Sequence, residues 1–218
     1  MKRSILIMAA ALCLALSATG CGQTGGNAPS YYATEEELAD AAANMSAELN
    51  SGDIYIEGKV YQMPFVSGEL CDAGWEYADE VIERAGTFPA LTRFTGVTMH
   101  QTDENGEATK EISLVLVNET ETEQDIKNVY TTTIGFDRYE KIKLIFPSGI
   151  TWESKIADVE AAYGAPEHKD EVGNDAFMKT VLQYEYENAH IAFTFEKESD
   201  AEDEKLTGIN YSCLGFLE

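Results

Sequence analysis

The sequence predicts an α+β fold: two helix-plus-antiparallel-sheet repeats, with the helices packed on one face of the sheet. Three observations predict it. Apolar residues recur at helical spacing in two separate windows, around residues 38–49 and 156–163. Runs rich in Thr, Ile, Tyr and Phe fill most of the remainder, as strands require. The order of helix followed by hairpins occurs twice.

The first helix begins at a capping box, Thr34 with Glu37, and Glu35 and Glu36 add negative charge to its opening turn. Leu38, Ala41, Ala42, Met45 and Leu49 form its apolar stripe, and Gly52 is its stop. Ile54–Ile56 and Lys59–Met63, joined at Glu57-Gly58, read as a tight hairpin closed by Pro64. Ser67 is placed to cap a short helix through Cys71, ended by Gly74 before Trp75. Thr92–Gln101 and Lys110–Asn118 flank a strong turn, Thr102 to Gly106, and Asn128–Phe136 and Lys141–Phe146 continue the strands. Pro147 closes that run. Ser154 then caps a helix with Ile156, Val159 and Tyr163 on its apolar face, stopped by Gly164 and sealed by Pro166. Val181–Glu187, His190–Glu196 and Leu206–Cys213 complete the chain as three strands, with a tight turn at Asn188-Ala189 and an acidic loop over 200–205.

The two halves echo one another. In each, a strand ends in proline (Pro64, Pro147), a helix follows, and an aromatic beside glycine ends it (Gly74-Trp75, Tyr163-Gly164). This divides the chain into a leader over 1–20, a linker over 21–33, a first repeat over 34–140 and a second over 141–218.

The leader has three parts. Lys2 and Arg3 give a positive start, and Ile5 to Leu16 an apolar run shorter than the roughly 20 residues that span a bilayer. Ala18, Thr19 and Gly20 then lead into Cys21. That order resembles the lipobox of bacterial lipoproteins. The resemblance implies cleavage before Cys21, a diacylglycerol on its thiol, and a body held at the extracytoplasmic side of the cell membrane. An ordinary secretory signal cut near Ala18 is the alternative. Gly22 to Ser30 is small, polar and uncharged, which predicts a flexible leash.

In the second half, Gly149-Ile150-Thr151-Trp152, Ser154, Asp158-Val159, Tyr163-Gly164 and Pro166 together resemble the repeats of the β-lactamase-inhibitor-protein-like fold. The likeness covers roughly 141–217. It implies tandem α+β repeats that grip a partner with loops and a concave sheet. The inhibitor members hold a disulfide within each repeat, whereas this chain has one cysteine in each half. The first half, through Ile56-Glu57-Gly58-Lys59-Val60-Tyr61, Pro64 and Gly74-Trp75, resembles uncharacterised lipoproteins of Gram-positive anaerobes.

The chain carries 15 basic and 39 acidic residues. The leader holds two of the basic ones and none of the acidic, leaving 13 against 39 and a net charge of −26. That balance opposes binding to nucleic acid or lying flat on anionic lipid. It fits a hydrated surface or a basic partner. Beyond the leader and Cys21, Cys71 and Cys213 remain; a disulfide between them and two separate packed thiols are both open readings.

No metal-ligand spacing, nucleophile elbow or phosphate loop is present, so no cofactor and no catalytic activity are expected. His100, His168 and His190 stand apart in sequence. Glu196, Glu198, Asp200, Glu202, Asp203 and Glu204 could gather calcium, but lack the turn glycine of a calcium loop and read as a hydrated loop. Aromatics are spread over the strands. Tyr184 and Tyr186 share one face, as do Phe193 and Phe195. With the phenylalanines inward, the two tyrosines become candidate partner contacts; with all of them inward, they are core. The expected function is a membrane-anchored, non-catalytic module that binds a protein or envelope component. The alternatives are an envelope hydrolase using Cys71 or a histidine, and a small-ligand sensor.

Overall fold

The computed structural model describes residues 31–78, 86–174, 177–198 and 204–215. The leader, Cys21 and the centre of the acidic loop lie outside the described residues.

The capping box forms as expected. Thr34 Oγ1 accepts from the Glu37 amide, the Glu37 carboxylate accepts from Thr34 N at 2.8 Å, and α1 runs Glu35–Asn44. It ends earlier than the apolar stripe implied, and Leu49 opens a separate 3-10 turn. The hairpin follows as β1 (Asp53–Ile56) and β2 (Lys59–Gln62), turned by Glu57 and Gly58, both at positive φ. Tight hairpin turns need that backbone.

The chain then forms β3 (Phe65–Val66), α2 (Gly68–Asp72), β4 (Glu76–Tyr77), β5 (Thr87–Phe88), β6 (Thr92–Thr102) and β7 (Ala108–Asn118). Next come β8 (Gln124–Asp125), β9 (Tyr130–Asp137) and β10 (Leu144–Ile145). After α3 (Ile156–Tyr163) the chain ends in β11 (His168–Asn174), β12 (Phe177–Glu185), β13 (Ala189–Glu198) and β14 (Lys205–Cys213).

Nine strands make one antiparallel sheet in the order β11-β12-β13-β14-β9-β7-β6-β4, with β3 also paired to β9. Two four-strand meanders, β4-β6-β7-β9 and β11-β12-β13-β14, thus meet last strand to last strand. Ile134 lies opposite Tyr211, and Phe136 opposite Ile209, at that seam. A second sheet, β10-β1-β2, also joins strands from both halves. Both sheets therefore cross the 140/141 division.

The inner face of the large sheet carries Met99, Leu114, Ile134, Tyr211, Phe193 and Leu182, all buried. The small sheet packs against it. Ile54 and Ile56 join that main core, while Tyr55, on the opposite face of β1, packs with Ala41 of α1 and Ile145.

The expected α+β fold, with helices covering the sheet, is overturned: the protein is mostly antiparallel β-sheet, with 49% of its residues in strands. The reason is physical. The α-helices among the described residues have only ten, five and eight residues, and α1 lies on the small sheet rather than the large one. Trp75, Trp152 and the small sheet fill much of the space that helices would have covered. The α3 helix does reach the main core, through Val159 and Tyr163. Strand structure also exceeds the expectation. All seven residues of β11 are exposed, so it lacks apolar alternation and is held by its register with β12.

Two local readings also change. Ser67 does not cap α2; its hydroxyl donates to the Ile126 carbonyl. Ser154 lies one residue before the N-cap position of α3, and its hydroxyl accepts from Thr151 N at 3.0 Å.

Candidate functional site

The outer face of the large sheet faces solvent. Its residues alternate with the core positions. Across the strands they form lateral rows: Thr98 opposite Ser113, Ser113 opposite Gly135, Gly135 opposite Asn210, Asn210 opposite Ala192 and Ala192 opposite Gln183. A neighbouring row runs Val115, Thr133, Ser212, His190 and Glu185. The centre is thus small and uncharged. A Cβ at Gly135 would stand 2.4 Å from Ser113 Oγ, so any side chain there would force Ser113 to rotate.

Two hollows interrupt this face. The first, of about 410 Å³, is lined by Glu111, Ser113, Gly135, Asp137, Glu140 and Asn210, among others. The missing side chain at Gly135 helps to form its floor. Three carboxylates ring it. Partial burial, and then the negative charge of Glu111 and Asp137, push the Glu140 carboxyl above its ordinary value. Asp137 accepts from Tyr139 N at 2.8 Å and so starts the 3-10 turn Arg138–Glu140. From that turn, Arg138 donates to the Trp152 carbonyl and to the Tyr32 hydroxyl, each at 2.8 Å. The beginning of the described chain is therefore fixed at this end of the sheet.

The second hollow lies beside the first, on the next row of the same face, and is also about 410 Å³. Arg93, Thr132, Thr133, His190, Ser212, Cys213, Leu214 and Gly215 line it. Thr133 Oγ1 donates to Ser212 Oγ at 3.1 Å, and Ser212 Oγ donates to Asn210 Oδ1 at 3.2 Å. Burial pushes the Cys213 thiol up to about 12. A third hollow, of about 270 Å³, is an apolar groove between α1 and the Phe146–Gly149 turn.

The sequence-derived candidates fall as follows. Tyr184 is 4% exposed; its hydroxyl donates to the Gly164 carbonyl at 3.1 Å, and its ring meets Tyr163 and Phe193. Tyr186 is half-buried against the main core. Phe193 and Phe195 do point inward, but Tyr184 points inward with them, because it lies opposite Ile191 while Leu182 lies opposite Phe193. Cross-strand partners share a face.

Cys71 and Cys213 are free thiols, each half-buried. Burial, the largest influence, raises the Cys71 thiol above its ordinary value. His100, His168 and His190 stand on β6, β11 and β13, with other strands between them. Among the described residues, no group of three His, Cys, Asp or Glu could hold a metal ion. No described helix is long and apolar enough to cross a membrane.

No protein-family model, curated protein or solved structure matches the chain. The residues that sequence reasoning missed, Glu111, Ser113, Gly135, Asn210 and Arg93, share one signal: each falls among polar positions that alternate with the apolar ones.

Proposed function

We propose that this protein is a lipid-anchored extracytoplasmic binding module that holds a basic protein partner against the outer face of its large sheet. The observation that carries this reading is the face itself: several strands wide, open to solvent, and lined at its centre by Ser113, Gly135, Asn210 and Ala192. Such a surface admits another chain closely, because no long side chain has to be displaced. The hollow ringed by Glu111, Asp137 and Glu140 gives one end the sign that attracts Lys or Arg, as the net charge does for the whole body.

The anchor reading rests on the leader and Cys21. Nine residues separate Cys21 from Tyr31, and the ten Cα–Cα steps between them reach at most about 35 Å when extended. On this reading, the end of the sheet holding Arg138 and the acidic hollow lies nearer the bilayer. The raised thiols of Cys71 and Cys213 support binding over nucleophilic catalysis, since the thiolate is the reactive form.

The test places a photo-crosslinking amino acid at Asn210 in the full chain, in intact cells, with one at Glu36 on α1 as the control. The expected result is a discrete adduct with a basic protein from position 210 alone, and loss of membrane association in Cys21→Ala. Equal adducts from both positions, or none from 210, would overturn the binding face. An unmodified Cys21 in the intact mass of the native protein would overturn the anchor.

A further inference from the structure

We infer that the loop over 89–91, together with Phe94, is a docking knob for a protein segment whose apolar face is bordered by Lys or Arg. The loop stands where β6 begins and β7 ends, and the inference does not depend on the outer-face reading. Its first support is the backbone at Leu91. Among the described residues, four other than glycine have positive φ: Glu57, Leu91, Lys141 and Ser148. Three of them are polar. Leu91, at φ 46°, is the apolar one, in a conformation that a Cβ disfavours and that glycine or asparagine adopts most readily. Its side chain gains little burial in return, since it is 57% exposed.

The second support is how firmly the loop is held. Asn118, at the end of β7, is buried. Its Nδ2 group donates to the Pro89 and Thr122 carbonyls at 2.9 Å and to the Phe88 carbonyl at 3.1 Å. Its Oδ1 accepts from Thr120 N at 3.0 Å and from the Thr120 hydroxyl at 2.7 Å. Leu91 N in turn donates to the Thr120 carbonyl at 3.0 Å. One buried amide thus ties the segment before β6 to the segment after β7. Phe94 is held as well: its ring stands edge-on to buried Phe88 at 4.8 Å, while 44% of the residue stays exposed. Apolar side chains fixed before binding lose little freedom when a partner covers them.

The third support is charge, and it selects the partner. Glu119, Glu121 and Glu123 follow Asn118, and all three are exposed. They belong to the segment that Asn118 and Leu91 hold together, so carboxylates border the apolar knob. An apolar group bordered by negative charge is matched by an apolar face bordered by positive charge, and it repels an anionic surface. A basic amphipathic segment of another protein meets both conditions.

The experiment titrates the full chain in zwitterionic detergent with three capped tetrapeptides, Lys-Leu-Leu-Lys, Lys-Ser-Ser-Lys and Glu-Leu-Leu-Glu, followed by amide resonances. The expected result is a saturable shift at Leu91, Thr92 and Thr120 with Lys-Leu-Leu-Lys, and none there with the other two. Leu91→Asn should raise the Kd about ten-fold or more, the loss of one covered leucine. Asparagine tolerates the left-handed backbone, so this variant should unfold at no lower urea concentration than the parent, which separates lost binding from lost folding. Glu119→Gln, Glu121→Gln and Glu123→Gln together should raise the Kd about three-fold or more at low salt. The proposal is overturned if Lys-Leu-Leu-Lys gives no saturable shift, if the shifts map elsewhere, or if either control peptide binds the loop equally. It is overturned as well if Leu91→Asn or the triple variant binds as the parent does, or if Leu91→Asn is the less stable protein.

Discussion

The two hollows on the outer sheet face are equal in volume and opposite in chemistry. One lies toward the start of the described chain and is ringed by Glu111, Asp137 and Glu140; the other lies beside it along the strands, with Arg93, His190 and a row of hydroxyls in its lining. The same backbone, a twisted antiparallel sheet, supports both. What differs is the outward residue at alternate positions, which the core does not constrain. A β-sheet buried on one side only thus separates its tasks. The inner positions are committed to stability, and the outer ones are free to vary in charge over a distance of about four residues, roughly 13 Å along a strand.

That separation can be broken most severely from below. Phe193 is fully buried on the inner face, with its ring 5.8 Å from Phe146, 6.0 Å from Tyr163 and 6.1 Å from Tyr184. It joins α3, the small sheet's neighbour and β12 in one contact. Phe193→Ala removes the ring and leaves a cavity, at an expected cost of about 3–5 kcal/mol. Denaturant unfolding should show that loss, and cross-linking from Asn210 should fall in step with the folded fraction. A variant as stable as the parent would show that the inner face does not depend on this ring.

How much of this was legible in the sequence depends on which constraint acted at each residue. The Thr34–Glu37 capping box, the Glu57-Gly58 turn and the β6–β7 hairpin are local, and their residue types specify them. The fold class was not legible, because layer order depends on pairings between distant segments, such as β1 with β10 and β9 with β14. Strand β11 was hidden for a related reason: His168 to Asn174 has no apolar period and is a strand only beside β12. The burial of Tyr184 was within reach. Any two-strand register that sets an even position of β12 opposite an odd position of β13 puts Tyr184 on the face of Phe193. The outer-face hollows needed the strand order first, since Glu111, Asp137 and Glu140 converge only after β7 and β9 pair.

A sharper separation of the two ends comes from Gly135→Leu. A Cβ at 135 would stand 2.4 Å from Ser113 Oγ, so Ser113 must rotate away, and the longer side chain then fills the acidic hollow. The expected destabilisation is about 1–3 kcal/mol, as for overpacking elsewhere. Cross-linking from Asn210 should fall to the control level in a variant that still unfolds cooperatively. Undiminished cross-linking from the folded variant would mean that the acidic hollow takes no part in holding the partner.

The smallest effect is the most specific to charge. Glu140 holds its proton more tightly in the folded protein than in the unfolded chain, because it is partly buried and faces Glu111 and Asp137. Between the unfolded and folded pKa values the native state therefore binds more protons, and stability declines as pH rises through that window. Glu140→Gln removes the charge that is being repelled. At neutral pH it should stabilise the protein by about half a kcal/mol or less, consistent with a partly solvated group. The gain should shrink as the pH falls through the folded pKa of Glu140, where the parent also becomes neutral. Parallel urea titrations at pH 7 and pH 4 measure both limbs. If the difference persists undiminished at pH 4, the carboxylates around the first hollow do not repel one another, and its attraction for a basic group loses its physical basis.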